Sequence, residues 1–433
     1  MRKSKTSKLL TTISMVAICA ATTATLAQAE SLKSAVRHAL NNHPEVSALK
    51  YNRQAIGQEL EAARGLWRPT VDVVAKGGGY IDTNTTQELY EISAVISQPL
   101  FDGGRGSFEK QRQKERVKSA NNRLADTANA IALRVTQAYT EVQRSYAIQS
   151  AAQRNLRALQ NIAYLVNRRV SGGRGNRAES AQAIARVAAA KASLAEARQR
   201  VRDAYALYIT VVGHRPKKLG TSSPRLSYMP RSLRAAIAAS RSHSPKILAL
   251  RHDALAATAA IGTAESFLLP KLNLEVSGRY ANELKGTSSR DAHGQAVVVL
   301  KWNLYNGGIN AARVQEAKYR ASESQALGRV ATLNIEKEVR LSWSARLAAR
   351  DRSSYLRKQL SANRISLAAQ KRQFEAGKRT LLDILDTQNE VFTAETALKT
   401  EIYVARYNTY RILAAVGRLV SSLNIGLPQA GKN

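Results

Sequence analysis

Two aspartates stand three positions apart in the stretch "FEAGKRTLLDILD", residues 374 to 386, placing the Asp383 and Asp386 carboxylates on one face of a helix. Such a pair attracts cations when it lines a narrow passage, because like charges held close raise one another's pKa or recruit counter-ions. It can also serve the helix itself. Thr380 followed by Asp383 has the pattern of a capping box, and Asn176 followed by Glu179 repeats it at the matching place in the first half. Asp386 lies past the first turn and continues an acidic stripe to Glu390. Both turns are otherwise basic, with Arg168, Arg169, Arg174 and Arg177 around one and Lys371, Arg372, Lys378 and Arg379 around the other. These bases are read either as solubilising charge on exposed helix tips or as a docking surface for acidic partner residues. Catalytic patterns are missing: the six histidines are scattered, with neither HExxH nor a metal-ligand pair. His43 precedes Pro44 and is matched by His243-Ser244-Pro245, which points to the start of a helix. "GGRG" at Gly103 and "GGRGN" at Gly172 lack the lysine and hydroxyl of a phosphate loop. The expectation is no enzyme, no cofactor and no metal.

Composition gives an address. The N-terminus combines Arg2, Lys3, Lys5 and Lys8, a short apolar run and the small-residue motif Ala27-Gln28-Ala29, so residues 1–29 read as a secretory signal cut before Glu30. Cys19, the only cysteine, lies inside it, which leaves no thiol for a disulfide, metal site or nucleophile. Removing the four signal bases from 66 leaves 62 basic against 32 acidic residues, a net charge of +30. The charges are spread at helical intervals among acids and alanines. That fits solvated helix faces rather than a nucleic-acid groove. Beyond the signal no apolar run reaches membrane-helix length, so any insertion into a membrane must use strands.

Those motifs sit in a duplicated frame. "SLKSAVRHALNNHPEV" from Ser31 matches "SLRAAIAASRSHSPKI" from Ser232, and "QPLFDGG" ending at Gly104 recurs as "WNLYNGG" ending at Gly308. Pro44 pairs with Pro245, Pro69 with Pro270 and Gly173 with Gly377, always in the same order. The expected organisation is a first unit over 30–215, a proline-bearing linker over 216–231, a second unit over 232–420 and a tail over 421–433. Each unit reads helix, two strands, very long helix, helix. No proline occurs from Leu100 to Arg215 or from Lys271 to Leu427, and both spans are rich in helix formers. Such long helices need coiled-coil partners.

The strands have a period of two. "KLNLEVSGRY" sets Leu272, Leu274, Val276 and Tyr280 against Asn273, Glu275, Ser277 and Arg279, and "VVLKWNLY" sets Val298, Leu300, Trp302 and Leu304 against Lys301 and Asn303. In the first half Tyr90, Ile92, Ala94 and Ile96 oppose Glu91, Ser93 and Ser97, with Val95 breaking the polar side. This alternation suits a barrel with lipid outside and water inside, and Leu274, Val276, Leu300 and Trp302 are the expected lipid-facing residues. Four strands cannot close a barrel, so several copies must pool them. A coiled-coil scaffold of the periplasm or cell surface, its strands forming a soluble cap, is the other reading.

The whole arrangement resembles the TolC-like outer-membrane channel family of bacterial efflux and type I secretion systems. The duplicated unit, "LKSAVRHALNNHPEV", "QPLFDGG" and "FEAGKRTLLDILDTQN" carry the resemblance over nearly the whole mature chain. It implies a mainly α fold with β: a homotrimer with a twelve-stranded barrel in the outer membrane, four strands per subunit, continued by an antiparallel coiled-coil barrel across the periplasm. It further implies docking to a periplasmic adaptor and an inner-membrane transporter, and passive export of proteins or small compounds. Asp383 and Asp386 match the acidic rings of the periplasmic entrance, and Arg379 and Glu179 match a latch that holds it closed. Phe374 and Ala178 depart from the family pattern where a tyrosine and a threonine share a hydrogen bond, which implies a looser latch.

Overall fold

The structure, a computed structural model, describes residues 29–82, 85–173, 175–282 and 290–426. Residues 1–28 of the expected signal, Arg174 and tail residues 427–433 lie outside the described residues. The elements run α1 Leu32–Asn42, α2 Pro44–Gly65, β1 Thr70–Asp82, β2 Thr85–Phe101, α3 Arg105–Ser171 and α4 Arg177–Val212. The series then repeats as α5 Leu233–His243, α6 Pro245–Glu265, β3 Lys271–Asn282, β4 Arg290–Lys301, α7 Ile309–Glu375 and α8 Leu381–Ala415, with a short α9 at Leu419–Ser422. The single opening helix expected in each unit is two helices. Proline fixes its own φ for a first turn and holds the preceding residue extended, so Pro44 begins α2 after an extended His43 (ψ 128°) and Pro245 begins α6 after Ser244 (ψ 120°).

Helices α3 and α7 are each 67 residues long, about 100 Å at 1.5 Å per residue. Both start after a glycine in the left-handed region, Gly104 at φ 84° and Gly308 at φ 82°, where the chain leaves a strand and turns into the helix. Helix α4 packs along α3 and α8 along α7, and α3 also meets α6 and α8, so the two units interleave. One core gathers α1, the middle of α3 and the ends of α4 and α8 around the buried Tyr139, Tyr208 and Leu413. A second runs to the far tips of the hairpins through Leu159, Val166, Leu367, Phe374, Leu381 and Leu385. Helix α7 leaves another apolar row uncovered: Leu327, Val330, Leu333, Leu341, Tyr355 and Ile365 are all more than half exposed.

The strands form one antiparallel sheet in the order β1-β2-β3-β4. Its register puts Val71, Ile96, Val276 and Ala296 in one row and Val73, Ala94, Gly278 and Gly294 in the next, all on one face. Asp72, Val95, Ser277 and Gln295 form a row of the opposite face. The alternation read from the sequence therefore survives strand pairing across the sheet. Strands β1 and β4 are edges that no other described strand of the chain pairs.

Candidate functional site: the hairpin tips and the amphipathic sheet

At each tip a long helix ends on a glycine turn and a shorter helix begins on a polar cap. Gly173 (φ 72°) and Gly377 (φ 76°) take the left-handed conformation that reverses the chain. Thr380 and Asp383 form the full capping box: the Thr380 hydroxyl accepts from the Asp383 amide at 3.4 Å, and Asp383 Oδ2 accepts from the Thr380 amide at 3.3 Å and its hydroxyl at 2.8 Å. In the first unit Asn176 caps α4 alone, accepting from the Ala178 amide at 2.9 Å. The expected match between the two caps thus extends to Asn176 but leaves Glu179 without the reciprocal bond among those described.

Both aspartates face arginines. Arg379 Nη1 lies 3.5 Å from Asp383 Oδ2, with Arg379 Nε donating to Gln373 Oε1 at 3.2 Å. Arg186 Nη2, on α4 of the first unit, donates to Asp386 Oδ1 at 3.0 Å and ties the two hairpins together. The Thr380 hydroxyl, foremost, holds the Asp383 carboxyl below its usual value; burial opposes this and the Arg379 charge adds to it. Burial draws the Lys371 ammonium below its usual value against the nearby Glu375. Within one protomer Arg379 is engaged by Asp383, and Glu179 makes no ion pair among the described residues. The two expected latch residues are not brought together inside a single chain.

Phe374 is buried, with the Arg169 guanidinium 4.6 Å from its ring centroid. Arg169 also donates to the Phe374 carbonyl at 3.2 Å. The position where the resemblance implies a lost hydrogen bond is therefore filled by packing and a cation over a ring face. Leu165, Arg168, Arg169, Gly172, Phe374 and Glu375 line a recess of 410 Å³ beside it. Sequence reading missed Arg186 and Arg169 as partners. Only the helical phase of Arg186, seven residues beyond Glu179 and so on the same side of α4, pointed that way.

At the sheet, Val276, Leu300 and Trp302 are exposed on the apolar face and Leu274 is half-buried there. Trp302 lies one residue past β4 and donates its indole N–H to the Leu268 carbonyl at 3.0 Å. On the opposite face Glu91 bridges Lys76 at 3.2 Å and Arg279 at 3.1 Å. Across the rows through Val276 and Gly278 the first face is apolar, while the opposite face holds charges in mutual contact, as a wall between lipid and water requires.

The family model described as "Outer membrane efflux protein" matches residues 35–214 and 236–418, one stretch in each unit. The chain belongs to the outer membrane efflux protein family. The outer membrane efflux protein BepC of Brucella suis is 25% identical over 406 residues, covering 93% of this chain and 89% of BepC. The outer membrane protein TolC of Vibrio cholerae is 25% identical over 433 residues, covering 93% of this chain and 95% of TolC. A crystal structure of CusC superposes with a TM-score of 0.78 at 19% identity, covering 91% of this chain and 92% of that one. The amphipathic sheet and paired long helices are accordingly the fold of an outer-membrane efflux channel, and the place of this chain is the outer membrane of a Gram-negative cell.

Proposed function

We propose that three copies of this chain close their sheets into a single barrel and their helices into a tunnel, making a passive exit duct without catalysis. The observation that carries this is the open four-stranded sheet, apolar on one face and charged on the other, in which β1 and β4 each pair with only one other described strand and leave their outer edges open. Unsatisfied strand edges are not tolerated in lipid, and pairing β4 of one copy with β1 of the next removes all of them. The uncovered row on α7 supports the same assembly, since a neighbouring helix of a second copy would bury it. The division into units 30–215 and 232–420, with a linker over 216–231, is supported by the matching series of elements.

In the trimer the tips converge at the periplasmic end, where Asp383 and Asp386 stand as two stacked rings and Arg379 reaches Glu179 across a subunit boundary to latch the closed state. A periplasmic adaptor docks on the basic tips, and an inner-membrane transporter delivers the substrate. Heat-resistant trimers recovered from outer-membrane fractions test the assembly; a chain released in soluble form by osmotic shock contradicts it.

A further inference from the structure

The duplicated units carry a template for the contact between copies. Pro44 and Pro245 fix an offset of 201 residues between α2 and α6, and Gly104 and Gly308 one of 204 between α3 and α7. Helix α6 lies between α3 and α7 and packs along both, whereas α2 packs along α3 and has no comparable second neighbour among the described elements. By the repeat, α2 lacks the partner that α3 provides for α6. Its surface shows the same gap. Pro245, Ala249, Ala256 and Ala259 of α6 are buried and His252 is half-buried, in the alternating four-and-three spacing of a helix seam. The matching residues of α2, Pro44, Ala48, Tyr51, Ala55 and Gln58, are all exposed, Tyr51 to 70%.

The facing helices differ in kind. Inside the chain α3 meets α6 through charge: Glu115 Oε2 lies 2.6 Å from His252 Nδ1, Arg123 donates to Asp253 at 2.7 Å, and Asp126 lies within reach of the Lys246 charge. The α7 residues matching Glu115, Arg123 and Asp126 are Tyr319, Leu327 and Val330, each more than half exposed. On α2 the matches of His252 and Asp253 are the uncharged Tyr51 and Asn52, and Glu45, the match of Lys246, is turned to Arg134 of its own α3 at 2.6 Å. Both sides of the matched seam have thus exchanged ion pairs for apolar and aromatic groups, as a permanent contact between copies favours. Resting on the proposed duct, we infer that α2 of one copy seats on α7 of the next in the register that α6 takes on α3, with Tyr51 meeting Tyr319 in place of the His252–Glu115 pair. The contact is head to tail, so each copy uses both faces once and the ring closes. The two seams do not interchange, since α2 placed on α3 would set Tyr51 against Glu115 and Asn52 against Arg123.

Cross-linking of the full-length protein in outer membranes reads the register. With Tyr51→Cys and Tyr319→Cys in one chain, a short bifunctional thiol reagent should give covalent trimers; Tyr51→Cys with Val330→Cys, about three turns further along α7, should not. Rescue reads the chemistry. Tyr319→Glu should lower the yield of heat-resistant trimers several-fold, and adding Tyr51→His, which rebuilds the Glu115–His252 pair between copies, should restore it. A chain that merely misfolds is not cured by the histidine. Wild-type trimers together with any one of three results overturn the seam and leave the duct standing: no link between positions 51 and 319, a Tyr319→Glu variant that assembles as well as wild type, or a double variant no better than Tyr319→Glu. A wild-type chain that yields no trimers overturns the duct and the seam together.

Discussion

Asp383 is first a helix cap. Its carboxylate completes the box with Thr380, so Thr380→Ala should cost about 1 kcal/mol and loosen the first turn of α8, read by amide exchange over residues 381–385. The pH dependence follows from the direction of the shift. A carboxyl held below its ordinary value stabilises the fold above that value, and the contribution is lost as pH falls through the lowered folded value. Protection of this turn should be constant from neutral pH down to the ordinary aspartate value of 3.8 and fail only below it. Failure already near neutrality would contradict the cap. Phe374, 5% exposed under Arg169, should be costlier: Phe374→Ala removes a packed ring at the junction of α3 and α7, worth about 3 kcal/mol, and should raise open-channel conductance. A variant as stable and as closed as wild type would show that the ring does not join the tips. The cap was legible in sequence because its partners are three residues apart. The Arg186–Asp386 and Arg169–Phe374 contacts were not, because they join residues 200 and 205 positions apart and depend on how α4 meets α8 and α3 meets α7.

Among the elements, the strands and long helices were readable because each carries one dominant period. The period of two in β3 and β4 survives as a two-faced sheet, and the proline-free spans became two helices of 67 residues. The opening of each unit was read as one helix although His43-Pro44 and Ser244-Pro245 signal a helix start, and the break comes from proline's fixed φ and the extended residue it imposes before it. The faces make a quantitative prediction. Arginine at Val276 or Val298 near mid-depth should cost about 2 to 4 kcal/mol in bilayer-inserted protein, and arginine at Ser277, on the wet face, should be mild. Urea titration of variants folded into vesicles measures both, and equal tolerance on the two faces would contradict the barrel. On α7, a double change of Leu333 and Leu341 to glutamate should leave the monomer's helix content intact and prevent trimers, since those side chains touch nothing that folding alone must bury. Intact trimers in that variant would mean the row faces water.

The whole molecule makes sense only as part of a larger one. An open sheet and an uncovered helix row are each costly in an isolated chain, and one symmetric assembly satisfies both together. Loss of such a duct should show as retained substrate: cells without it should become sensitive to detergents and dyes or fail to release a secreted protein. The most direct test of the assembly uses its edges. The only cysteine, Cys19, lies in the expected signal, so paired cysteines can be placed on β1 and β4 without a competing thiol. These strands lie at opposite edges of one chain's sheet and meet only between copies of a closed barrel. Scanning pairs between residues 71–75 of β1 and 292–298 of β4 in outer membranes under oxidising conditions should reveal a register that yields covalent, reducible trimers and nothing larger. If every register leaves monomers, or if the ladder continues past three, the closed trimeric barrel is contradicted.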